Sequence, residues 1–486
     1  MLPAGKKTGL TGCVYNCLLS VMILYRFLYR IFIALYLSLI HLASLWNPKA
    51  RLWVHGRRRI FSRMRQELAT EQSSIIWMHC SSLGEYEQGR PLLEKIREIY
   101  PSYKILLTFF SPSGYTVIKD RAVADYVCYL PFGNRFITSR FIDLVKPALV
   151  LWIKYEYWYY YLHEFKKRNT PLLLISGTFD KNQPFFKWYG EMHRQMLRCF
   201  THLFVQTKHS ETLLTTLGFP GGITVSGDTR FDRVIEIAQR FEPVEAIEEF
   251  CSNSKVVVAG STWPEDEEQL DHYANSHPEI KFILAPHEIH ETHLKDIERL
   301  FKNSIRYSEI SGLMSDGGWP LAGDSGQITN DDQSSANHHP PSAIGHPSSA
   351  IGRRSSANDI SKAPNVLIID NIGMLSRLYN YATITYVGGG FGEAGVHNVL
   401  EAAVYGKPVM FGPVFNKFIE AIELLEESGA FTIETALELE KLLDDLFTDQ
   451  SLYLEVCEAA KKYVYSKKGA TEKVLQYIQE NRLLTR

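Results

Sequence analysis

The stretch from Tyr386 to Pro413 decides the fold class of this chain and reads YVGGGFGEAGVHNVLEAAVYGKPVMFGP. An apolar run ending at Val387 leads into five glycines within eight residues, and a helical pattern and a second apolar run follow. A strand, a glycine loop and a helix N-terminus together form a phosphate site, because unpaired backbone N–H groups and the helix dipole converge there. The stretch therefore predicts a nucleotide-binding α/β domain.

The helix predicted after the glycines carries two polar side chains, Asn398 and Glu401, that lie three residues apart and would share one face. A carboxylate on that face can accept hydrogen bonds from ribose hydroxyls. The phosphate would lie against Gly389, Gly390 and Gly392. We interpret the stretch as a site for a nucleotide-activated sugar.

Two other interpretations of the glycines stay open. Residues 390–395 fit G-x-G-x-x-G, but a dinucleotide fingerprint lies in a first βαβ unit, with an acidic residue about 20 positions further on. Here the motif comes late in the chain, and Met410 occupies that later position. The glycines could also form a turn that binds nothing.

Length and composition exclude several classes of protein. A chain of 486 residues is long enough for two or three domains. Its net charge of −2 gives no indication of a nucleic-acid partner. The seven cysteines include no C-x-x-C pair, which favours reduced thiols in a cytosolic setting over a disulfide framework.

The N-terminus is basic and apolar. Residues 1–66 contain eleven Lys or Arg and no Asp or Glu. Two uncharged apolar runs, 8–25 and 31–48, are each about 18 residues long, near the lower limit for crossing a bilayer. Basic residues follow the second run and suit anionic lipid on the cytoplasmic side. We predict a membrane anchor, either spanning or monotopic, and the alternative is a buried helical hairpin.

The rest of the chain alternates between strands and helices. Strands are predicted at 74–79, 104–108, 126–129, 148–153, 172–176, 202–205 and 223–226, and in a second series at 256–259, 282–285, 366–369, 384–387 and 408–411. This alternation is typical of parallel sheets with helices on both faces. A helix is predicted at 291–310, and residues 311–361 have the composition of a disordered insertion.

Glu85 is the first catalytic candidate. It follows the first strand, at the edge where doubly wound folds bind ligands, and could act as general base on an acceptor hydroxyl. The alternative is that Ser82-x-x-Glu85 is a capping box, which needs no active site. The loop at 108–114 offers hydroxyls, or simply a turn. The aromatic run at 157–161 could hold a sugar or lipid, or begin a buried helix.

Cationic and histidine-rich segments supply further candidates. Arg230 follows another strand and could balance negative charge. The histidines between 287 and 293 do not have the spacing of two His four apart that zinc peptidases use, so we predict no metal. The corner at Pro286 and His287 fits a nucleotide contact instead.

These segments resemble, together and in this order, the 3-deoxy-D-manno-octulosonic acid (Kdo) transferases of lipopolysaccharide synthesis. The likeness covers nearly everything except 311–361. It is carried by the basic apolar N-terminus and by the motifs SSLGE (81–85), TFFSPSG (108–114), YLPF (129–132), VSGDTRFD (225–232), GST (260–262), GVHNVLE (395–401), GKP (406–408) and FGP (411–413).

The resemblance implies a GT-B fold, an α/β architecture in which two Rossmann-like doubly wound domains face each other across a cleft. It places an anchor at 1–66, an acceptor-binding domain at 67–232, a linker at 233–254, a nucleotide-binding domain at 255–450 and terminal helices at 451–486. It implies inverting transfer of Kdo from CMP-Kdo to a lipid A precursor at the cytoplasmic face of the inner membrane, beside anionic lipids. No cofactor, metal or nucleic acid is expected.

The resemblance also assigns the site residues. Glu85 matches the general base, and Lys154 and Arg230 would stabilise charge during transfer. The residues expected to hold CMP are Pro286, His287, Ile372, Gly373, Met374, Asn398, Val399, Leu400 and Glu401.

Four positions depart from the family pattern. Lys154 stands where the family has a Glu assigned to transition-state stabilisation, which reverses the charge. His287 stands where the family usually has an Arg, and Met374 stands where it often has a Glu. Arg230 stands where the family has a Lys, and it keeps the positive charge. Two rival functions stay open: another GT-B enzyme, such as a nucleotide-diphosphate hexose transferase or a sugar epimerase, and a non-catalytic membrane-tethered scaffold.

Overall fold

A computed structural model describes residues 10–119, 123–154, 156–219, 221–314 and 363–485, with side chains from residue 24 onward and none for 311–314. The chain divides into two compact units. Unit 1 contains Met1–Glu236 and Val464–Arg486, and unit 2 contains Ile237–Tyr463. The predicted insertion at 311–361 lies outside the described residues, except for the helical backbone up to Met314.

The N-terminus forms three helices: α1 (Leu10–Ala43), α2 (Pro48–Gly56) and α3 (Ile60–Glu67). Residues 10–25 and 31–43 of the two predicted apolar runs therefore lie in one continuous helix, and the helical-hairpin alternative is wrong. Within α1, the segment Leu24–Ala43 is long and apolar enough to cross a membrane, judged by length and composition alone.

Unit 1 is built on a parallel sheet of seven strands in the order β3-β2-β1-β4-β5-β6-β7. The strands are β1 (Ile75–Cys80), β2 (Lys104–Phe109), β3 (Tyr126–Tyr129), β4 (Pro147–Ile153), β5 (Leu172–Gly177), β6 (His202–Val205) and β7 (Gly222–Val225). The helices between and after them are α4 (Leu83–Ile99), α5 (Pro112–Ile118), α6 (Arg135–Val145), α7 (Tyr159–Lys167), α8 (Glu191–Leu197), α9 (Lys208–Thr216) and α10 (Thr229–Gln239), with a 3-10 turn at Pro184–Phe186.

Unit 2 contains a second parallel seven-stranded sheet, in the order β10-β11-β9-β8-β12-β13-β14. Its strands are β8 (Val256–Thr262), β9 (Lys281–Pro286), β10 (Ser304–Arg306), β11 (Val366–Ile368), β12 (Ile384–Val387), β13 (Val409–Phe411) and β14 (Ala430–Thr432). Its helices are α11 (Glu245–Cys251), α12 (Pro264–Ser276), α13 (Glu291–Leu300), α14 (Tyr307–Met314), α15 (Leu375–Leu378), α16 (Leu400–Ala403), α17 (Ile419–Glu426), α18 (Ala436–Thr448) and α19 (Gln450–Ser466), with a 3-10 turn at Tyr379–Tyr381.

Each sheet is buried on both faces, as the apolar runs predicted. Strands β1, β5 and β6 are buried along their whole length, which is typical of parallel strands covered by helices. The doubly wound α/β class is thus confirmed for both units. The helix predicted at 291–310 is wrong, because β10 interrupts it between α13 and α14.

The last helix, α20 (Ala470–Glu480), belongs to unit 1. Its Leu475 and Ile478 lie in the same apolar cluster as Ile105 of β2. The carboxylate of Asp232 accepts hydrogen bonds from the backbone N–H groups of Gly469 and Thr471, both at 2.6 Å. These bonds satisfy amide groups at the start of α20, which its own turns leave unpaired.

Each sheet has one point where the winding direction reverses, and such points are where doubly wound folds bind ligands. In unit 1 the reversal lies between β1 and β4, the strands that precede Glu85 and Lys154. In unit 2 it lies between β8 and β12, the strand that precedes the glycine loop. The sequence-predicted residues therefore follow the expected strand ends.

Candidate functional site

Glu85 lies in the first turn of α4 and is 9% exposed. One of its oxygens, Oε2, accepts a short hydrogen bond from the backbone N–H of Ser81, which comes directly after β1. Burial, together with the nearby Glu85 carboxylate, raises the pKa of the Cys80 thiol well above its usual range.

The capping-box interpretation of Ser82 and Glu85 is wrong. Ser82 is the N-cap residue of α4, but its side chain makes no capping hydrogen bond. A capping box would direct Glu85 to the backbone N–H of the N-cap residue itself, whereas the carboxylate bonds to Ser81, one residue earlier. Glu85 is therefore held at the strand–helix corner by a different contact.

Both cationic candidates converge on Gln88, which lies one turn after Glu85 on α4 and is buried. With the amide oriented so that its oxygen faces the cations, Oε1 of Gln88 accepts from Nζ of Lys154 at 2.7 Å and from Nε of Arg230 at 3.2 Å. Residues three apart on a helix are neighbours on its surface. Glu85, Lys154 and Arg230 are therefore brought together in unit 1.

Arg230 reaches this position because the chain after β7 returns to α4. The hydroxyl of Thr229 contacts Oγ of Ser176, at the end of β5, at 3.1 Å and donates to the backbone carbonyl of Gln88. The carboxylate of Asp228 then accepts from the backbone N–H and the guanidinium of Arg230, each at 2.9 Å. Asp228 and Thr229 thus orient the guanidinium.

Lys154 follows β4 with a φ of +50°. The left-handed region is costly for a residue with a side chain, and such residues cluster at functional sites. Here the conformation turns the chain directly after β4 while the ammonium group reaches Gln88. Two residues further on, Glu156 accepts from Trp158 Nε1 at 2.9 Å and contacts Nε2 of the buried His79 at 3.1 Å.

The two remaining segments of unit 1 follow their simpler interpretations. Ser111 is the N-cap residue of α5, and its hydroxyl accepts from the backbone N–H of Ser113. Tyr159 and Tyr160 begin α7, are buried, and pack against Tyr29 of α1, with ring centroids 5.5 and 5.2 Å away. The aromatic run is a buried helix start in contact with α1.

The glycine loop of unit 2 is held by hydrogen bonds from its own backbone N–H groups to other groups of the protein. The N–H of Gly389 donates to the buried carboxylate of Asp266 at 2.8 Å, and the same oxygen accepts from the N–H of Trp263 at 2.9 Å. The N–H of Gly392 donates to the carbonyl of Gly389 at 3.1 Å. Two of the three predicted phosphate-loop amides therefore donate within the protein, and the phosphate contact of Gly390 stays a prediction.

The helix after the loop is shorter than expected. Helix α16 covers only Leu400–Ala403, and Asn398 precedes it. The Asn398 side chain nevertheless donates to Oε1 of Glu401 at 2.9 Å and accepts from the backbone N–H of Leu400 at 3.3 Å. The pair is joined as predicted, but one helical turn supplies little of the dipole that the phosphate argument requires.

The other residues expected to hold CMP follow the ends of neighbouring strands. Pro286 ends β9 and His287 follows it, while residues 372–374 follow β11. Ile372 is 84% exposed and Gly373 has a φ of +100°. By contrast Val399 and Leu400 are fully buried, so their contact with CMP stays a prediction.

Three rings stack beside the glycine loop. Trp263 and His287 have ring centroids 4.7 Å apart, and His287 and His397 have centroids 4.5 Å apart, both pairs nearly parallel. Nε1 of Trp263 donates to Nε2 of His397 at 3.2 Å. That bond requires an unprotonated Nε2. Burial, with a smaller contribution from His287, lowers the pKa of His397 to about 4.

Acid is expected to destabilise this stack. The pKa of His397 is about 4 in the folded protein and 6.5 ordinarily, so the unfolded chain binds the extra proton between these values. Stability is then lost as pH falls from about 6.5 to 4, by at most about 1.4 kcal/mol per pH unit for one proton. His397→Gln keeps an acceptor but cannot be protonated, so thermal unfolding across this range should show a shallower pH dependence. An unchanged slope would contradict this assignment.

In the part of the chain that the structure describes, no group of three or more His, Cys, Asp or Glu is placed to hold a metal ion. His293, from the histidine-rich segment, instead contacts the carboxylate of Glu267 at 2.9 Å and the carbonyl of Glu288 at 2.8 Å. These contacts hold the start of α13 against α12.

The chain resembles known proteins in its sequence. A family model described as 3-deoxy-D-manno-octulosonic-acid transferase (kdotransferase) matches residues 55–233, the segment that carries Glu85, Lys154 and Arg230. A 3-deoxy-D-manno-octulosonic acid transferase of Rickettsia felis is 23% identical over 418 residues, covering 84% of this chain and 80% of that protein. Residues 55–233 therefore carry the domain of the Kdo transferase family.

Two further proteins resemble this chain, one in sequence and one in fold. A bifunctional glycosyltransferase/methyltransferase of Fusobacterium nucleatum is 24% identical over 428 residues, which span 85% of this chain but only 56% of that longer protein. The crystal structure of a UDP-GlcNAc 2-epimerase from Neisseria meningitidis covers 84% of this chain and 100% of its own, with a TM-score of 0.54 and 14% identity. That likeness shows the fold alone, and the predicted GT-B class is confirmed.

Several residues of the candidate site were not predicted from the sequence. Gln88 could have been found, because it lies one helical turn after Glu85. Asp266 could not, because nothing in the sequence links α12 to a loop more than a hundred residues later. The stack that joins Trp263 and His397 through His287 was not predicted either, although His397 belongs to the glycine-rich stretch itself.

Proposed function

We propose that this protein moves Kdo from CMP-Kdo to a lipid A precursor, with release of CMP. The observation that carries the proposal is the convergence of Lys154 and Arg230 on Gln88, one helical turn from Glu85. A buried carboxylate with two cations beside it can take a proton from a hydroxyl and stabilise negative charge.

In the proposed reaction these residues carry the proton transfer and the charge stabilisation. Glu85 takes the proton of the acceptor hydroxyl, and the oxygen forms a bond to the anomeric carbon of the donor. The bond from that carbon to the phosphate oxygen breaks on the opposite side, so the configuration inverts, and CMP leaves with the electron pair. Lys154 and Arg230 stabilise the charge that develops during this step.

The donor is assigned to unit 2. Its glycine loop, the backbone at Val399 and Leu400, the pair of Asn398 and Glu401, and the segment 372–374 all follow strand ends at one edge of the sheet. Glu401 on this edge would accept hydrogen bonds from the ribose hydroxyls. His287 stands where the family usually has an Arg, and its ring stacks with those of Trp263 and His397.

The proposed lipid acceptor implies that the protein works at a membrane. A lipid A precursor is a membrane lipid, and the apolar segment of α1 lies in the same unit as Glu85. We place the protein at the cytoplasmic face of the inner membrane, because the basic residues before position 66 suit anionic lipid there.

A transfer assay tests this function. The full chain in detergent is incubated with CMP-Kdo and tetra-acylated lipid A precursor, and the product mass is measured. A gain of one or more Kdo units supports the proposal and counts the sugars. A matched incubation with UDP-hexose should give no gain. CMP should raise the unfolding temperature and UDP should not, and the reverse result would favour a nucleotide-diphosphate sugar enzyme.

The positive charge of Arg230 should matter more for kcat than the shape of its guanidinium group. Arg230→Met is expected to lower kcat about 100-fold, because a preorganised donor to developing charge is lost. Arg230→Lys keeps the charge and should lower kcat less than about tenfold. The CMP-induced shift in unfolding temperature should be unchanged in both variants. Equal losses in the two variants would show that the hydrogen bonds to Asp228 matter, not the charge.

A further inference from the structure

Helix α1 presents two different faces along Leu24–Ala43. Tyr25, Tyr29, Ile33, Tyr36 and Ile40 are packed against the apolar cluster of unit 1. On another sector of the helix a row of apolar side chains is exposed: Leu24, Leu28, Ile31, Leu35, Leu39 and Leu42. At about 100° per residue the two sets do not overlap, so α1 is one-sided.

The packed face is a specific contact with the folded unit. Nε of Arg26 donates to the hydroxyl of Tyr159 at 2.8 Å. The ring of Tyr36 lies 6.0 Å from that of Trp53 and 5.4 Å from that of Phe132. These partners belong to α7, to α2 and to the loop after β3, so the contact runs along most of the segment.

This packing conflicts with a helix that crosses the bilayer at Leu24–Ala43. Twenty helical residues extend about 30 Å, the thickness of the hydrocarbon core. The elements packed along that length would have to enter the core as well, and α7 exposes Lys166 and Lys167. Charged side chains are strongly disfavoured there.

Both ends of the exposed row carry exposed tryptophans. At the N-terminal end, the hydroxyl of Tyr25 donates to the carbonyl of Tyr189 at 3.2 Å, next to Trp188, which is 90% exposed. At the C-terminal end Trp46 is 67% exposed, and the exposed cations Lys49 and Arg51 follow. Tryptophan is enriched at the membrane interface, and basic side chains favour anionic headgroups.

We propose that residues 24–46 lie in the plane of an anionic membrane surface, with the exposed row and Trp188 inserted at the level of the headgroups. Trp188 belongs to the loop before α8, so unit 1 itself contributes to the surface. This inference rests on the membrane part of the proposed function and not on its chemistry. An in-plane helix buries its apolar face about 5–10 Å deep and leaves the other face to the protein.

Depth-dependent quenching tests the orientation. In a full chain with Cys13, Cys17 and Cys457 replaced by Ser, the other four cysteines are buried, and Leu35→Cys takes an environment-sensitive fluorophore. The protein is bound to phosphatidylcholine–phosphatidylglycerol vesicles with a quencher either near the headgroup or at the acyl-chain end. Leu39→Cys is the second variant, and Leu437→Cys, at a site 78% exposed in unit 2, is the control.

Stronger quenching by the headgroup-proximal lipid at positions 35 and 39, and none at 437, is the expected result. Stronger quenching by the acyl-end lipid would show a spanning helix and overturn the in-plane inference alone. No quenching, or equal quenching at 437, would overturn the membrane contact itself. Kdo transfer in detergent is scored separately, so it does not depend on these outcomes.

A second measurement concerns Trp188. If the loop before α8 touches lipid, Trp188→Ala should weaken partitioning onto the anionic vesicles about fivefold, and Leu437→Ala should leave it unchanged. A spanning helix would hold the protein regardless of this loop. Unchanged partitioning of Trp188→Ala would therefore remove the loop from the surface and contradict the proposal.

Discussion

Glu85→Gln is expected to lower kcat for Kdo transfer by about 10³-fold, which lies within the usual range for loss of a general base. The amide keeps an oxygen that can accept from the backbone N–H of Ser81, so the corner between β1 and α4 should keep its shape. What is lost is the ability to take a proton. The measurement is kcat with CMP-Kdo at saturating lipid acceptor, across a range of pH.

The matched control for Glu85→Gln is Glu87→Gln on the same helix. The Glu87 side chain is 41% exposed and lies near Arg90 and Arg233 at 3.9 and 4.0 Å. Surface pairs of this kind contribute little to stability, so kcat should change less than about twofold. The CMP-induced rise in unfolding temperature should persist in both variants. If Glu85→Gln kept a tenth of the activity, or lost CMP binding, the assignment of the base would be wrong.

Gly390→Ala is expected to abolish CMP binding and to lower the free energy of unfolding by about 3 kcal/mol, the upper end for overpacking. A Cβ atom at Gly390 would lie 2.5 Å from the backbone nitrogen and 2.6 Å from the Cα of Gly412. Two segments of backbone meet there, and neither can move as a flexible side chain would. Thermal unfolding with and without CMP measures both effects.

The control for Gly390→Ala lies in the same loop. A Cβ at Gly392 would meet only the carbonyl oxygen of Gly389, at 3.7 Å, which is an ordinary contact. Gly392→Ala should therefore cost less than about 1 kcal/mol and keep most of the CMP effect. Equal damage from both substitutions would mean that the loop is needed for its flexibility rather than for its close approach to Gly412.

The sheets were predictable because buried parallel strands are continuous apolar runs between turns. The strands Tyr126–Tyr129, His202–Val205 and Ile384–Val387 match their predicted bounds. The strands β10 and β14 were missed because each has three residues and lies at a sheet edge, where pairing rather than hydrophobic pattern defines the strand. The same edge pairing broke the predicted helix at 291–310.

The candidate site was predictable only where a functional residue or loop comes directly after a strand. Glu85 and the glycine loop were placed by that rule, whereas Lys154 was assigned by the family resemblance. Gln88 joins Lys154 and Arg230 only because the chain after β7 crosses back to α4, which no local pattern records. The capping-box alternative required Glu85 to accept from the backbone N–H of Ser82, whereas it accepts from that of Ser81. The spacing of residues in the sequence cannot distinguish these two contacts.

The return of α20 to unit 1 has a consequence for how the protein is made. The ring hydroxyl of Tyr103 accepts from the backbone N–H of Thr485, two residues separated by 382 positions in the sequence. Synthesis proceeds from the N-terminus, so the part of this apolar cluster that α20 covers stays exposed on the ribosome until α20 has emerged. The whole of unit 2 is translated in the interval, so unit 1 is completed only after unit 2 has been made.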